Sequence, residues 1–257
     1  MKRKVCIFVD GENFRHSIVD LFDEFDQKDY LPQNADWEKF FDWLVEQIDT
    51  NARRIRTYWY VVEALDFYPY KFPNPETETR KLHSILCEDE RCRKRLNGLQ
   101  DQSLIEEMKK IVEALCNRRI GMESRFFGWS TIQGGISTKH KSVEFRRSGS
   151  IPYNLFYKKF GKEKAVDVKL ATDLIVLKDI YDIAVIVSGD QDYVPAVQVI
   201  KDHGKHVVNV AFETRGGKLL PGGARRLNRL TDWSLSIPYI ELKKYLRIQD
   251  KPSPPPG

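Results

Sequence analysis

Short apolar runs that end in an aspartate and lead into a helical pattern are the strongest constraint on the fold of this chain. The run "KVCIFVD" ends at Asp10, and the run "IAVIVSGD" ends at Asp190. After Asp10, the apolar residues Phe14, Ile18 and Leu21 recur at helical spacing. Continuously apolar strands that alternate with helices are typical of a parallel sheet covered on both faces. The sequence therefore predicts an α/β fold with a mostly parallel sheet.

The alternation of strands and helices continues on both sides of one interruption. A helix with Asp36 as its N-cap is predicted for "DWEKFFDWLVEQID", and a strand for "RRIRTYWYVVEAL". Later, the strand-like segments "SRFFGWSTIQGG" and "SVEFRRSG" precede a regular series of helices and strands. Between the strand "RRIRTYWYVVEAL" and these later segments, a proline-rich turn and two helical patterns predict a helical insertion at about residues 66–122. We expect one domain over residues 1–245 and a disordered proline-rich tail over residues 246–257.

The positive charge of the chain is concentrated in two stretches. The net charge is +5, but residues 139–169 hold nine Lys or Arg against three acidic residues. Residues 214–230 hold five Lys or Arg and no acidic residue. Such segregation is typical of a surface that binds a polyanion such as nucleic acid, and two solvated loops explain it equally well.

The same sequence favours the cytoplasm and a reduced state of its thiols. It has no run of about 18 apolar residues, and its start turns polar too soon for a signal peptide. We therefore expect a cytoplasmic protein with no membrane partner. A zinc site built from one histidine and three cysteines is the alternative to buried thiols, and the missing Cys-x-x-Cys spacing favours the thiols. The residues of that alternative are His83, Cys87, Cys92 and Cys116.

Several carboxylates are expected to meet at one edge of the predicted sheet. The carboxyl ends of parallel strands share an edge, so Asp10 and Asp190 lie side by side if their strands are neighbours. Asp192 follows in the next helical turn, and Asp167 lies near the start of the preceding helix. At 4 Å each pair of carboxylates repels by roughly 4 kcal/mol at an effective dielectric of 20. Each aspartate alone is typical of a turn or a helix cap, but together they predict a Mg²⁺ or Mn²⁺ site suited to phosphate esters.

The segments that carry these residues resemble a known family. The runs "IFVDGENF", "KAVDVKLATDL" and "IVSGDQDYVPAVQVIKDHGKHVVNVAF" are similar, in this order, to the NYN domain, the LabA-like branch of the PIN-like nuclease superfamily. The resemblance covers about residues 3–60 and 140–235 and leaves out residues 66–122. It implies a three-layer α/β fold of PIN-like, Rossmann-like topology and metal-dependent cleavage of RNA.

The resemblance also implies roles for particular residues. The catalytic set consists of four acids that hold Mg²⁺ or Mn²⁺ and one amide that bonds a carboxylate or the substrate phosphate: Asp10, Asp167, Asp190, Asp192 and Asn13. Ser188 supports the turn that presents Asp190 and is counted with the substrate-binding candidates. The metal-bound water is the implied nucleophile, so no histidine or lysine is required as a base.

Asp173 is the rival of Asp167 for the helix ligand. The two are six residues apart, so on an α-helix they point about 120° apart and cannot both hold one ion. Asp167 is preferred because it lies nearer the helix start and because "KAVD" is similar to the Lys-Gly-Val-Asp run of the family. Ala165 stands where that run has glycine.

RNA, single-stranded or structured, is the substrate that the resemblance implies. Basic side chains from both positive stretches are the candidates for contacts with its phosphates: Lys158, Lys159, Lys162, Lys164, Arg225 and Arg226. A homo-oligomer, the identity of the RNA and the cleavage position stay open.

Two other functions compete with a ribonuclease. The same fold can serve as a non-catalytic RNA-binding or regulatory module, since a fold does not guarantee chemistry. A phosphatase with Asp10 as its nucleophile needs a second aspartate two residues on, where this chain has Glu12. A dinucleotide-binding domain is disfavoured because no Gly-x-Gly-x-x-Gly follows the first strand.

Overall fold

A computed structural model of the 257-residue chain describes residues 2–25, 30–32, 34–220 and 225–248. The side chains of Arg225 and Arg226 and residues 249–257 of the predicted tail lie outside this description. The chain divides into two compact units. The first contains residues 1–61, 131–148 and 165–257, and the second contains residues 62–130 and 149–164. The single domain with an insertion at about residues 66–122 stays a prediction.

The first unit contains most of the alternating strands and helices. In chain order its elements are β1 (Arg3–Asp10), α1 (Gly11–Leu21), α2 (Trp37–Ile48), the first part of β2 (Ala52–Tyr68), the start of β3 (Val143–Asn154), α6 (Val166–Val176), β5 (Ile183–Val187), α7 (Val194–Asp202), β6 (His206–Phe212), α8 (Arg225–Leu230), β7 (Trp233–Ile237) and α9 (Tyr239–Leu246). The second unit holds α3 (Thr79–Leu86), α4 (Glu90–Leu96), most of α5 (Asp101–Lys139) and β4 (Lys159–Phe160).

The strands form a mixed seven-stranded sheet with the order β4-β3-β2-β1-β5-β6-β7. β1 pairs in parallel with β2 and β5, and the pairs β5–β6 and β6–β7 are also parallel. β3 and β4 form an antiparallel pair. Helices cover both sides of the sheet, so the predicted α/β class is confirmed. Among the helices that the structure describes, none has both the length and the apolar character needed to cross a membrane.

The core of the first unit explains why its elements form where they do. Every residue of β5 is buried, as expected of a strand covered on both faces. In α2, apolar side chains at helical spacing place Phe40 and Phe41 against Trp37, and Trp37 packs edge-to-face on Trp59 with ring centroids 5.0 Å apart. The predicted N-cap is confirmed, because Asp36 accepts a hydrogen bond from the backbone N–H of Lys39.

Gly11 allows α1 to begin directly at the end of β1. A Cβ atom at this position would lie 2.3 Å from the carbonyl oxygen of Tyr60 and 2.9 Å from a methyl group of Val61. Any other residue would push α1 away from β2. The glycine of "DGEN" therefore keeps the first turn of α1 close to the sheet.

The strand predicted for "SRFFGWSTIQGG" is wrong, because these residues lie inside the 39-residue helix α5. Aromatic residues and glycines made this short segment look strand-like. Over a longer window, however, buried residues recur every seven positions: Met108, Leu115, Met122, Trp129 and Ile136. A seven-residue repeat places these side chains along one side of a helix, and the buried face outweighs the local preference.

Candidate metal centre

The site is built where β1 and β5 end side by side. Val9 pairs with Val187 in parallel register, so the next residues, Asp10 and Ser188, lie at the same edge of the sheet. The hydroxyl group of Ser188 donates a hydrogen bond of 2.9 Å to Oδ2 of Asp10. The two strands are therefore neighbours, which is the condition under which Asp10 and Asp190 were expected to lie at one edge.

Asp10 is buried beneath this edge and held by three donors. It caps α1 by accepting from the backbone N–H of Asn13 at 3.1 Å, and it also accepts from the hydroxyl groups of Ser188 and Tyr193. Burial raises the pKa of Asp10 to about 6, although these hydrogen bonds act to lower it. Its carboxylate is thus an internal part of the site whose oxygens already have partners.

The turn after β5 is braced by hydrogen bonds at each residue. The backbone N–H of Asp190 donates to the Ser188 hydroxyl at 3.0 Å, and that of Gly189 donates to the side-chain oxygen of Asn13 at 2.9 Å. Asp190 in turn accepts from the backbone N–H of Asp192 at 2.9 Å and caps a short 3₁₀ helix, Gln191–Tyr193. Asn13 and Ser188 therefore hold the backbone that presents the two acids.

Three carboxylates come together above this turn. Asp167, Asp190 and Asp192 each offer one oxygen, and these oxygens lie within 4.8 Å of one another. Asp167 lies in the first turn of α6 and is half-buried, like Asp190, whereas Asp192 is exposed. Carboxylate oxygens are the donors that Mg²⁺ and Mn²⁺ prefer, and a divalent cation removes the repulsion between them. The residues present therefore fit such an ion.

The described residues contain no second set of three or more such ligands, so the zinc alternative has no cluster there. The nearest approach is between His83 and Cys87, where Sγ lies 3.5 Å from Nε2. Cys92 is buried, and burial raises the pKa of its thiol to about 11. A thiol with so high a pKa is a poor metal ligand at neutral pH.

Tyr193 links the buried carboxylate to the cluster. Its hydroxyl oxygen lies 3.0 Å from Oδ2 of Asp10 and 3.0 Å from Oδ1 of Asp167. Burial and the two acids raise the pKa of Tyr193 far above its ordinary value, so the group stays a neutral hydroxyl. Sequence reasoning had not identified Tyr193. The available signal was the aromatic residue directly after Asp192 in "SGDQDY".

Asp173, the rival ligand, lies outside the three-carboxylate group and forms ion pairs instead. It is buried, accepts from the hydroxyl of Tyr60 at 3.1 Å, and pairs with Arg146 and with Lys169 at 3.0 Å. Burial acts to raise the pKa of Asp173, but the hydrogen bonds from Arg146 and Lys169 hold it below its ordinary value. Its charge is already balanced by two cations.

Ala165, just before α6, has an unusual backbone conformation. Its φ is 71°, in the left-handed region, where a side chain costs about 1 kcal/mol relative to glycine. This is the position where the family run has glycine. The chain thus makes the turn that presents Asp167 at an energetic cost.

The predicted RNA contacts fall in two places. The four lysines Lys158, Lys159, Lys162 and Lys164 are exposed and belong to the second unit. The two arginines begin α8, and their side chains are not described. The role of all six residues stays a prediction.

The comparison with known families agrees with the motifs. The model of the NYN domain family matches residues 97–220. The chain therefore contains an NYN domain match over residues 97–220. NYN domains are part of the PIN-like nuclease superfamily. The match contains Asp167, Asp190 and Asp192, and it begins inside the segment that the motifs had left unmatched.

Other comparisons add little for this NYN domain protein. No curated protein matches it. Among solved structures, a protein of unknown function from Vibrio parahaemolyticus matches with 17% sequence identity, a TM-score of 0.43, and coverage of 92% of this chain and 93% of the other.

Proposed function

We propose that this NYN domain protein is a metal-dependent endoribonuclease. Mg²⁺ or Mn²⁺ would be held by Asp167, Asp190 and Asp192, with Asp10 linked to Asp167 through the hydroxyl of Tyr193. The observation that carries the proposal is the meeting of three carboxylate oxygens within 4.8 Å at the edge of the sheet where β1 and β5 end. The match to the NYN domain family supports it, because NYN and PIN-like nucleases generally use divalent metals.

The side chains around the cluster have distinct tasks in this proposal. Asn13 and Ser188 fix the turn, so that Asp190 and Asp192 need no rearrangement to bind an ion. Tyr193 holds Asp167 in place from below. When bound, the ion would lower the pKa of a water ligand and offset charge that develops on the scissile phosphate.

The alternative is an RNA-binding module without catalysis, and one experiment separates the two. Purified protein is incubated with single-stranded RNA, structured RNA and single-stranded DNA in Mg²⁺, Mn²⁺ or EDTA. We expect cleavage of RNA in either metal and none in EDTA. RNA binding without cleavage in any metal would support the non-catalytic module.

The site assignment is tested with Asp190→Asn. Asparagine can still accept from the N–H of Asp192, so the turn is kept while one anionic ligand is lost. We expect cleavage to fall by at least about 100-fold, or about 2.7 kcal/mol of transition-state stabilisation. The control is Asp202→Asn, an exposed aspartate at the end of α7. Wild-type cleavage by Asp190→Asn would refute the site.

Substrate contacts are tested through salt dependence. Replacing three lysines of the second unit by alanine should lower the log–log salt slope of RNA binding by about 0.7 per lost phosphate contact, or about 2 in total. The variant residues are Lys158, Lys159 and Lys162. The control carries the same charge change on exposed lysines of α3, α4 and α5: Lys81, Lys94 and Lys110. Binding is measured in EDTA. Equal salt slopes of RNA binding for the two variants would refute the assignment of these three lysines as phosphate contacts.

A further inference from the structure

A basic groove on the first unit is formed by the last turns of α5, the start of β3 and Arg56 of β2. Its volume is about 350 Å³, and all of its described lining residues belong to the first unit. Helix α5 contributes Gln133 and Ser137, and β3 contributes Phe145 and Arg147. We call it the β3 groove. None of its residues belongs to the carboxylate cluster or to the lysines tested above.

Positive charge exceeds negative charge in the lining of the β3 groove. Its cationic residues are Arg56, Lys141 and Arg147, and among the described lining residues Glu144 alone is acidic. The carboxylate of Glu144 is already shared, because it lies 2.9 Å from Arg56 and 3.0 Å from Arg146. Within the described part of the chain, neither Lys141 nor Arg147 forms an ion pair. The groove therefore keeps two positive charges that no acidic residue balances.

Arg147 is held in place by a neutral partner. One of its terminal nitrogens donates to the side-chain oxygen of Gln133 at 2.7 Å, and the amide nitrogen of Gln133 donates to the hydroxyl of Tyr30 at 2.5 Å. Gln133 is 4% exposed, so this support is fixed inside the unit, whereas Arg147 is exposed. A carboxylate in place of Gln133 would also hold the guanidinium but would neutralise it. A guanidinium that is fixed and keeps its charge is suited to an oxyanion such as phosphate.

The strand that carries Arg147 runs in the same direction as β2. The backbone N–H of Thr57 in β2 donates to the carbonyl of Ser142, directly before β3, at 2.8 Å. At the other end of the pair, the backbone N–H of Leu155, directly after β3, donates to the carbonyl of Tyr68 at 2.8 Å. Both strands therefore advance together toward the carboxyl edge of the sheet.

This direction places Arg147 close to the level of Asp10 in the sheet. Tyr60, three residues after Thr57, pairs with Asp10 in β1, and Arg147 lies five residues after Ser142. Only β2 separates β3 from β1, so these two strands are about 10 Å apart. The β3 groove therefore ends near the edge of the sheet that carries the candidate metal centre.

We propose that the β3 groove binds backbone phosphates of the RNA strand, with Lys141 and Arg147 as the contacts. The proposal rests on the proposed function in taking RNA as the substrate. Lys141 lies in the turn before β3 and Arg147 is the fifth residue of the strand, so the two charges are spread over about 13 Å or more. Charges spaced in this way fit successive phosphates of a chain better than one terminal phosphate.

The test removes one charge at a time. Lys141→Gln changes a side chain that forms no ion pair or hydrogen bond with the described residues, and Arg147→Gln keeps an amide that can donate to Gln133. The matched controls are Lys39→Gln and Lys244→Gln, which remove the same charge from exposed side chains of α2 and α9 in the same unit. If Arg147→Gln fails to fold, Lys141→Gln carries the test alone.

Binding of a labelled single-stranded RNA with a 5′-hydroxyl group is measured in EDTA at several KCl concentrations. We expect Lys141→Gln and Arg147→Gln each to lower the log–log salt slope by about 0.7, and the double variant to lower it by about 1.4. The controls should keep the wild-type slope. Equal slopes for groove and control variants, or no binding of RNA by the wild type, would overturn the proposal. So would an effect of the groove variants that is confined to strands with a 5′-phosphate or to oligoglutamate.

Cleavage assays in Mn²⁺ separate this proposal from the proposed function. A salt slope that depends on the β3 groove in EDTA, with no cleavage in any metal, would refute the ribonuclease and keep the groove. Metal-dependent cleavage by the wild type, with equal slopes for groove and control variants, would keep the ribonuclease and refute the groove.

Discussion

Asp10→Asn should make the metal-free protein more stable at neutral pH. Asparagine keeps one oxygen for the backbone N–H of Asn13, and its amide group faces the hydroxyls of Ser188 and Tyr193. Tyr193 can then accept from this amide and donate its only proton to Asp167. The buried charge is removed, and only the hydrogen bond from Ser188 loses its acceptor.

The size of the effect follows from burial. A pKa of about 6 against an ordinary value of 3.8 means that ionised Asp10 costs about 3 kcal/mol in the native state. The lost hydrogen bond from Ser188 offsets about 1 kcal/mol of that gain. We therefore expect the free energy of unfolding of Asp10→Asn in EDTA at pH 7 to exceed that of the wild type by about 2 kcal/mol.

The effect must depend on pH. The pKa of Asp10 is higher in the folded state than in the unfolded state. Between about pH 4 and pH 6, the folded wild type therefore binds more protons than the unfolded chain does. Wild-type stability contributed by Asp10 is therefore fully present below about pH 4 and falls as the pH rises through about 6. The advantage of Asp10→Asn should disappear at pH 4.

Urea unfolding monitored by tryptophan fluorescence in EDTA, at several pH values between about 4 and 7, measures this difference. Asp202→Asn is the exposed control and should show no comparable pH-dependent gain. An Asp10→Asn variant that is less stable than the wild type at pH 7, or a difference that does not change with pH, would refute the reasoning.

Three further predictions concern α6 and its neighbours. Asp167→Asn should lower the single-turnover rate of RNA cleavage by about 100-fold without loss of stability. Asp173→Asn should instead lower the free energy of unfolding by about 1–3 kcal/mol, because Arg146 and Lys169 lose the buried carboxylate that they share. The reverse pattern would move the ligand to Asp173. Ala165→Gly should raise the free energy of unfolding by about 1 kcal/mol, since glycine accepts a φ of 71° without strain; an unchanged or lower urea midpoint argues against this. Tyr193→Phe should weaken Mn²⁺ binding by about tenfold in calorimetric titration, because Asp10 and Asp167 lose their shared donor. An unaltered affinity for Mn²⁺ would contradict the role of Tyr193 in holding Asp167.

The local pattern of the sequence determined the parallel core and the edge at which the acids lie. Strands that are covered on both faces consist of apolar residues where they are buried. The buried parts of β1 and β5 can therefore be recognised in the sequence as continuous apolar runs. The first polar residues after such a run mark the edge of the sheet, which is why Asp10, and Asp190 three residues after β5, could be placed there. Helix α5 was partly misassigned because its seven-residue repeat extends far beyond the segment that looked like a strand.

Only the tertiary structure decided which aspartates are buried, which are ion-paired and which can bind a metal ion. Asp10 is buried beneath the cluster by Tyr193, which lies 183 residues away along the chain, and Asp173 is neutralised by Arg146, which lies 27 residues away. Burial and hydrogen-bond partners arise when distant segments pack together, so no local pattern specifies which carboxylate is enclosed, which is paired, and which remains available to an ion.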